Sequence, residues 1–562
     1  MDKYIYLFKK KTIIVENFIR KFESTVKRCW DQPALGDFHK TDETYGELAA
    51  RIATLQLVFE KAGLKRGDHY AINARSSRNW LEVFMGGISG GYVGVQMFNG
   101  FTPADTQSLV NHSDSRILFT EASIYKNMDL AKMPKVIGVI DCNTFECLDG
   151  RKNFKEIFDK RDALFAERYP RGLRPSDICY PGMDFKDTCA IMYTSGSTGN
   201  PKGVMISVEN FSVNVEDLKD DFPYRTGENY LSILPFAHIF GLVCDGIIPL
   251  CLGMHEVVLG VPPIPANVKE AMCELQPRIF FAVPLILTKF IEYSIGKDIH
   301  SEEGAAKLAD YENNREFCDY LRAKMIDALG GRIEEFVTGG AAIPSELESM
   351  LTEKLRLPFV TGYGMTETCP LIGIAPLGEY RLKSCGKVSR LCLDLKIDSE
   401  DSLSIPGEVL VKGPGVFSGY YKNPAATREA FTEDGWFRTG DIGTLDNDST
   451  IFLVGRCKNM ILGPNGQNIF PEEIEVILNN LPYVAESLVV SRGGKMTALI
   501  VPNADRLATD SIDTEGAKAI MKGNIRQLNT RIPAYSAVAD FEIMSEAFSK
   551  TPKGSIRRFM YA

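Results

Sequence analysis

Residues 193–203 read Tyr193-Thr194-Ser195-Gly196-Ser197-Thr198-Gly199-Asn200-Pro201-Lys202-Gly203, directly after the apolar run Cys189-Ala190-Ile191-Met192. A short strand therefore feeds a loop crowded with hydroxyls and glycines, with one lysine near its end. Glycines let backbone N–H groups come close to an anion, and Thr194, Ser195, Ser197 and Thr198 add hydroxyl donors. Such a loop suits the phosphates of a nucleotide. It is not a Walker A loop, because Pro201 stands where that motif needs its second glycine. A flexible surface linker is the alternative, but Gly/Ser linkers rarely follow a buried strand directly.

The alternation of apolar run and unusual loop continues downstream. Runs at 189–193, 230–234, 278–283, 335–338 and 359–363 are followed by loops beginning at Thr194, Pro235, Pro284, Gly339 and Gly364. Runs of this length between helical stretches predict an α/β fold with mostly parallel sheets flanked by helices. Ligands of such sheets sit outside the carboxyl ends of the strands, so these loops are expected to converge on one crevice. Upstream, 43–62 has helical spacing with a Gly63 stop, 69–74 reads as a strand, and 80–88 is helical again. After about Pro406 the character changes, and 408–412 and 450–454 read as antiparallel strands of a β-rich subdomain. Residues 472–481 return to helical spacing, and 486–491 with 496–501 read as a hairpin across Gly493-Gly494. A boundary is expected at 455–458, between a large N-terminal domain, 1–455, and a small mobile α+β C-terminal domain, 456–562.

Composition narrows the function classes. At 562 residues the chain is too long for one compact core, and 44% hydrophobic with 24% charged residues is ordinary for a soluble globular protein. A formal net charge of −9 argues against nucleic acid as a principal partner and against a broad basic face for anionic lipid. Lys9-Lys10-Lys11, the dense basic stretch near the start, reads as a solvated, frayed terminus. The 13 cysteines include no Cys-x-x-Cys pair and no Cys/His spacing of the zinc type, so reduced cytoplasmic thiols and no structural metal are expected. The apolar run 4–8 is too short for a secretory leader. The longest apolar region, 230–260, is broken by His238, Asp245, His255 and Glu256, which favours a buried strand–loop–helix over a membrane span.

Four further segments stand out: Gly339-Gly340-Ala341-Ala342-Ile343-Pro344, Gly362-Tyr363-Gly364-Met365-Thr366-Glu367-Thr368, Trp436-Phe437-Arg438-Thr439-Gly440-Asp441 and Gly455-Arg456-Cys457-Lys458-Asn459. Each is weak alone. Taken with the 194–203 loop, in this order and spacing, the set resembles the adenylate-forming superfamily of acyl-CoA synthetases, peptide-synthetase adenylation domains and luciferases. The resemblance runs from about Tyr45 to the C-terminus. Segment 455–475 and the tail 550–561 look most like bacterial long-chain fatty-acid–CoA ligases.

The resemblance implies a two-step reaction: a carboxylate attacks the α-phosphate of ATP to give acyl-AMP and pyrophosphate, and a thiol then displaces AMP. It implies ATP, Mg²⁺ and CoA as cofactors. Thr194, Ser195, Gly196, Ser197, Thr198, Gly199 and Lys202 would cradle the triphosphate, and Thr194 and Glu367 would help hold Mg²⁺. Gly339, Gly340, Ala341 and Tyr363 would wall the adenine, with Gly364, Met365 and Thr366 in the same nucleotide contact. Asp441 would accept from the ribose hydroxyls, and Arg456 would reach ribose or phosphate. His238 would orient the acyl carboxylate, and Gly241 with the apolar stretch beyond would leave room for the acyl tail. Judged singly, each has a plainer reading. Glu367 could cap a helix, Tyr363 fill the core, and Asp441 belong to a turn. Arg456 could form a surface ion pair, and His238 could be a hydrogen-bonded core histidine.

The tail departs from the superfamily pattern. Many members carry a catalytic lysine directly after glycine in Thr-x-x-Gly-Lys, whereas Thr551-Pro552-Lys553-Gly554-Ser555 has serine there. Lys553 is the expected substitute, reaching the α-phosphate from two residues earlier. Lys458 matches the hinge about which family members rotate the C-terminal domain, and Gly466 would pass the CoA arm close to backbone. The expected activity is conversion of a medium-to-long-chain fatty acid to acyl-CoA by a cytoplasmic enzyme, soluble or peripherally bound to membrane, as monomer or homodimer. The alternatives are loading of an acyl carrier protein's phosphopantetheine and a catalytically degenerate nucleotide or acyl-AMP binder.

Overall fold

The computed structural model describes residues 3–8, 11–151, 153–181, 183–194, 201–376, 378–462, 468–493, 495–550 and 556–561, with backbone alone for 3–8, 11–13 and 468. Local signals act where the sequence places them. Helix Tyr45–Lys61 starts at a reciprocal cap, in which Thr44 Oγ1 accepts from the Glu47 N–H at 3.2 Å and the Thr44 N–H donates to the Glu47 carboxylate at 2.8 Å. Gly63, at φ +75°, turns the chain out of that helix and into the strand His69–Asn73.

The apolar runs all become strands, but they are shared among three sheets, not one. Thr188–Thr194 lies in an eight-stranded sheet whose order is Gly419–Tyr420, Lys202–Ser207, Thr188–Thr194, Val93–Gln96, His69–Asn73, Ile117–Thr120, Gly138–Asp141 and Cys147–Gly150. Its middle is parallel and its outer strands are antiparallel. Asn229–Ser232 is an edge of a four-stranded sheet, parallel to His255–Val258 and through it to Pro33–Asp37. Ile279–Ala282, Glu335–Thr338 and Phe359–Gly364 run parallel in a five-stranded sheet that Leu371–Ile374 and Lys387–Val388 complete antiparallel. Hydrophobic runs of this kind specify strands buried on both faces; they carry no information on which sheet a strand joins.

The later segments match the β-rich expectation. Asp394–Asp398, Gly407–Lys412, Phe437–Leu445 and Ile451–Arg456 form an antiparallel sheet. Beyond it, Val484–Arg492 and Lys495–Pro502 form the expected hairpin, with Asp540–Ile543 added in parallel and helices Pro471–Asn479 and Thr514–Asn529 packed with them. This C-terminal unit has its own core, built from Ile474, Leu478, Val489, Ala498, Met521 and Leu528. The fold is thus mixed α/β, with a large N-terminal and a smaller C-terminal domain. A hairpin, Lys3–Phe8 with Lys11–Glu16, stands where the sequence suggests a frayed terminus; residues 9 and 10 lie outside the described set.

Among the described residues no helix is long and apolar enough to cross a membrane. Region 230–260 resolves into the strand Asn229–Ser232, a wide helical segment Gly241–Ile247, helix Ile248–Leu252 and the strand His255–Val258. Asp245, 0% exposed, interrupts the apolar sequence for a structural reason: it accepts from the Ile233 N–H at 3.0 Å, the Leu234 N–H at 2.9 Å and the Tyr230 hydroxyl at 2.9 Å. Burial pushes its carboxyl up to about 7 against the lowering of those donors.

Glu335, 1% exposed, is less well served, since its Oε1 has no hydrogen-bond partner among the described residues. Burial, with the Asp221 carboxylate adding to it, pushes this carboxyl up to about 8. The unfolded chain releases that proton near 4.5, so folding takes up a proton between the two values and stability falls as pH rises through them. Glu335→Gln removes the ionisable group. Its melting temperature should match wild type at about pH 5 and exceed it by several degrees at about pH 8, and parallel melting curves across that range would contradict the assignment.

Candidate active site

The hydroxyl-rich segment falls in sequence between two strands that pair antiparallel. Thr188–Thr194 pairs with Lys202–Ser207 and the last pair is Thr194 opposite Lys202, so the chain leaves and returns at one point. Ser195, Gly196, Ser197, Thr198 and Gly199 lie outside the described residues. At the base of the hairpin, Lys202 places its ammonium 4.8 Å from the centroid of the Tyr420 ring. Tyr420 belongs to the short edge strand Gly419–Tyr420, which pairs with Val204 and Met205. Its hydroxyl donates to Glu367 Oε1 at 3.0 Å. Burial, and after it the Glu367 charge, raise the Tyr420 hydroxyl far above its usual range, so it stays a donor.

Glu367 sits in the tight turn Thr366–Thr368 that follows the strand Phe359–Gly364, and Met365, not Glu367, occupies the capping position. The Glu367 carbonyl accepts from the Phe417 N–H at 2.8 Å, which ties the turn to the segment leading into Gly419–Tyr420. Half-buried Thr194 and Glu367 therefore lie at the ends of strands joined through Lys202 and Tyr420. A carboxylate and a hydroxyl are the hard oxygen donors that fit Mg²⁺, which takes one or two protein carboxylates and completes its shell with phosphate and water.

A second polar cluster adjoins the first through the same strand. Tyr363, half-buried near the end of Phe359–Gly364, donates its hydroxyl to Asp441 Oδ2 at 2.7 Å. Arg456 Nε meets Asp441 Oδ1 at 3.0 Å, the two residues being direct cross-strand partners. Asp441 is therefore inside the strand Phe437–Leu445, not in a turn, and only 4% exposed. Burial pushes its carboxyl up, while Arg456 and the Tyr363 hydroxyl hold it down. Tyr363 packs its ring against the main core and donates its hydroxyl to Asp441. Arg456 keeps half its side chain in solvent and so has donors to offer beyond Asp441.

The loops after four other strands meet on the far side. Buried Gly339 lies beside the Gly362 carbonyl and the Phe240 ring, each 3.4 Å from where a Cβ would stand, an ordinary contact that does not itself require glycine. Gly340, at φ +80°, and Ala341 are exposed. His238 is half-buried; its Nδ1 accepts from the Phe240 N–H at 3.2 Å, which puts the ring proton of the neutral imidazole on Nε2. Phe98 meets it edge-on at 6.3 Å, and Ser76 Oγ accepts from the Phe236 N–H at 2.8 Å to brace the loop. Gly241 has a purely local reason to be glycine, because a Cβ would come within 2.4 Å of the Pro235 carbonyl oxygen. The stretch beyond it, 242–251, is packed core instead of open space.

Around the expected boundary, strand Ile451–Arg456 leads into the short turn Cys457–Asn459. Desolvation, and after it the Arg456 charge, push the Lys458 ammonium pKa down. Asn459 donates to Glu472, and Arg558 pairs with Glu475, both within the C-terminal unit. Gly466 and Lys553 lie outside the described residues, as does Ser555. Lys550, just before the latter two, pairs with Glu486 at 2.5 Å. Tyr420 and Phe98 are the residues that sequence reading did not single out. The run Gly419-Tyr420-Tyr421-Lys422-Asn423-Pro424 is a visible signal for the first, and nothing marks the second.

The family described as AMP-binding enzyme matches residues 22–421, and AMP-binding enzyme C-terminal domain matches 458–561. Long-chain-fatty-acid–CoA ligase 1 of Saccharomyces cerevisiae is 25% identical, over 86% of this chain and 74% of its own. Feruloyl-CoA synthase of an Amycolatopsis species is 28% identical, over 86% of this chain and 93% of its own. Among solved structures, ATP-bound MatB from Rhodopseudomonas palustris superposes with a TM-score of 0.75 at 20% identity, covering 96% of this chain and 98% of that one, which establishes the shared fold.

Gly364 separates packing from binding. A Cβ there would lie 2.0 Å from the Pro370 carbonyl oxygen, the same oxygen that accepts from the Met365 N–H at 2.9 Å. Gly364→Ala should lower unfolding free energy by ~1–3 kcal/mol in urea titration, as a small-to-large change in a filled space does. Unchanged stability would contradict the packing account.

Proposed function

Because the chain belongs to the AMP-binding enzyme family, we propose that it activates a medium-to-long-chain fatty acid as acyl-AMP with ATP and transfers the acyl group to CoA. The observation that carries this reading is the buried Asp441 carboxylate, held by Tyr363 and Arg456 beside the turn that bears Glu367. A carboxylate at the edge of a crevice is the natural acceptor for a ribose diol. Tyr363 offers a ring face for adenine next to it, and Gly339 and Gly340 allow close backbone approach. Residues 195–200 and Lys202 would bind the phosphates.

In the first half-reaction a carboxylate oxygen of the acid attacks the α-phosphorus, and pyrophosphate leaves with the electron pair of the broken P–O bond. The Nε2–H of His238 is the donor that would orient that carboxylate. Thr194 and Glu367 would hold Mg²⁺, which when bound offsets negative charge on the phosphates. Lys553 would bring a cation to the α-phosphate. In the second half-reaction the thiol sulfur attacks the acyl carbon, AMP leaves, and the thiol proton passes to solvent. Rotation of the C-terminal domain about Lys458 would exchange Lys553 for a CoA path beside Gly466. Half-buried Phe98, edge-on to His238, and half-buried Phe240, whose N–H binds the His238 ring, give the side around His238 an aromatic character that supports an apolar acyl group. Thirteen unpaired thiols support a cytoplasmic setting.

The test is ATP–pyrophosphate exchange without CoA, over acids from acetate to oleate with ferulate included, followed by CoA addition. Exchange should peak with medium-to-long fatty acids and convert to acyl-CoA when CoA is added. A peak with ferulate or acetate would overturn the substrate class, and no exchange with any acid would overturn the reaction.

A further inference from the structure

Tyr420 occupies a position that neither the phosphate loop nor the ribose cluster explains. Its ring is largely buried against Phe417, centroids 4.9 Å apart, and takes the Lys202 ammonium on one face at 4.8 Å. Its hydroxyl donates to Glu367 Oε1 at 3.0 Å, and among the described residues this is the one side-chain hydrogen bond that the carboxylate takes. A half-exposed carboxylate on a turn can rotate about its terminal bonds. One hydrogen bond on one oxygen restrains that rotation and leaves the second oxygen for another partner.

We propose that Tyr420 is a positioning residue for the Glu367 carboxylate, holding Oε1 so that Glu367 is preorganised to receive a divalent cation bound with the nucleotide. This rests on the reading of Glu367 as the metal-binding carboxylate. Outer partners of this kind orient ligating carboxylates, and their loss typically lowers metal affinity 10- to 100-fold. The arrangement also couples two elements. Lys202 closes the hairpin that carries the phosphate loop, Glu367 follows a strand of another sheet, and Tyr420 on an edge strand touches both. The neighbouring residue supplies a control built into the strand. Tyr421 directs its hydroxyl to Asp114 at 3.3 Å and stacks edge-on with His69 and His112, away from Glu367. The two adjacent hydroxyls thus serve different partners.

The experiment compares wild type, Tyr420→Phe and Tyr421→Phe by the ATP-induced rise in melting temperature, titrated with Mg²⁺ and then with Mn²⁺. Each variant loses one hydroxyl and keeps its ring, so melting temperatures without ligand should stay close to wild type. Tyr420→Phe should need about 10-fold or more additional cation to reach half of the ATP-induced shift, with Tyr421→Phe tracking wild type. In a Glu367→Gln background, Tyr420→Phe should add nothing further. Equal cation midpoints for wild type and Tyr420→Phe, in a wild type that does respond, would overturn the role of Tyr420 alone, as would an equal displacement by Tyr421→Phe. A wild type whose melting is indifferent to ATP and cation together would overturn the site reading and this inference with it.

Discussion

The Asp441 carboxylate is withdrawn from water, and its two oxygens are taken by groups from two other strands, the Tyr363 hydroxyl at 2.7 Å and Arg456 Nε at 3.0 Å. A buried carboxylate carries a desolvation penalty that attraction to one partner seldom covers, so both contacts are needed for the charged form to persist. That requirement fixes geometry. Tyr363 comes from the five-stranded sheet, whereas Asp441 and Arg456 face each other within the antiparallel sheet. The cluster therefore pins the two sheets together at the point where the chain turns into the Glu367 segment. Loss of the Tyr363 or Arg456 contact would leave a buried charge short of partners and loosen the same edge.

From that edge the remaining elements of the site follow by short links. The turn bearing Glu367 continues the Tyr363 strand, Phe417 fixes the turn by its main chain, and Tyr420 joins it to Lys202 and the hairpin. On the other side, the Gly362 carbonyl and the Phe240 ring close on Gly339, which brings in the loop that carries His238. Loops from strands in three sheets thus face one region, as the placement of ligands outside carboxyl ends of strands requires. The rigid parts are backbone and buried polar pairs, and the groups offered to a ligand stand at their margins.

Much of this was legible in the sequence because it depends on local pattern. Runs such as 335–338 and 359–363 read as buried strands, and helical spacing that stops at Gly63 marks the helix before it. The order of glycine-rich loops carries the resemblance from which the candidate site is read. What was not legible depends on contacts between distant residues. Sheet membership, the packing of Gly241 against Pro235 and of Gly364 against Pro370, and the bond between Tyr420 and Glu367 leave no periodic trace. Asp441 was read as a ribose contact or a turn residue, and the strand position with an arginine across from it is what distinguishes a buried acceptor from a loop carboxylate.

The central claim is that the buried Asp441 cluster is where the nucleotide's ribose is held. Calorimetric titration of the wild-type protein with ATP and with 2′,3′-dideoxy-ATP tests it directly, because the two differ only in the hydroxyls that Asp441 would accept. Removing hydrogen bonds to a charged group costs about 1.5–3 kcal/mol each, so the dideoxy nucleotide should bind at least about 10-fold more weakly. Equal affinity for the two nucleotides would contradict the account.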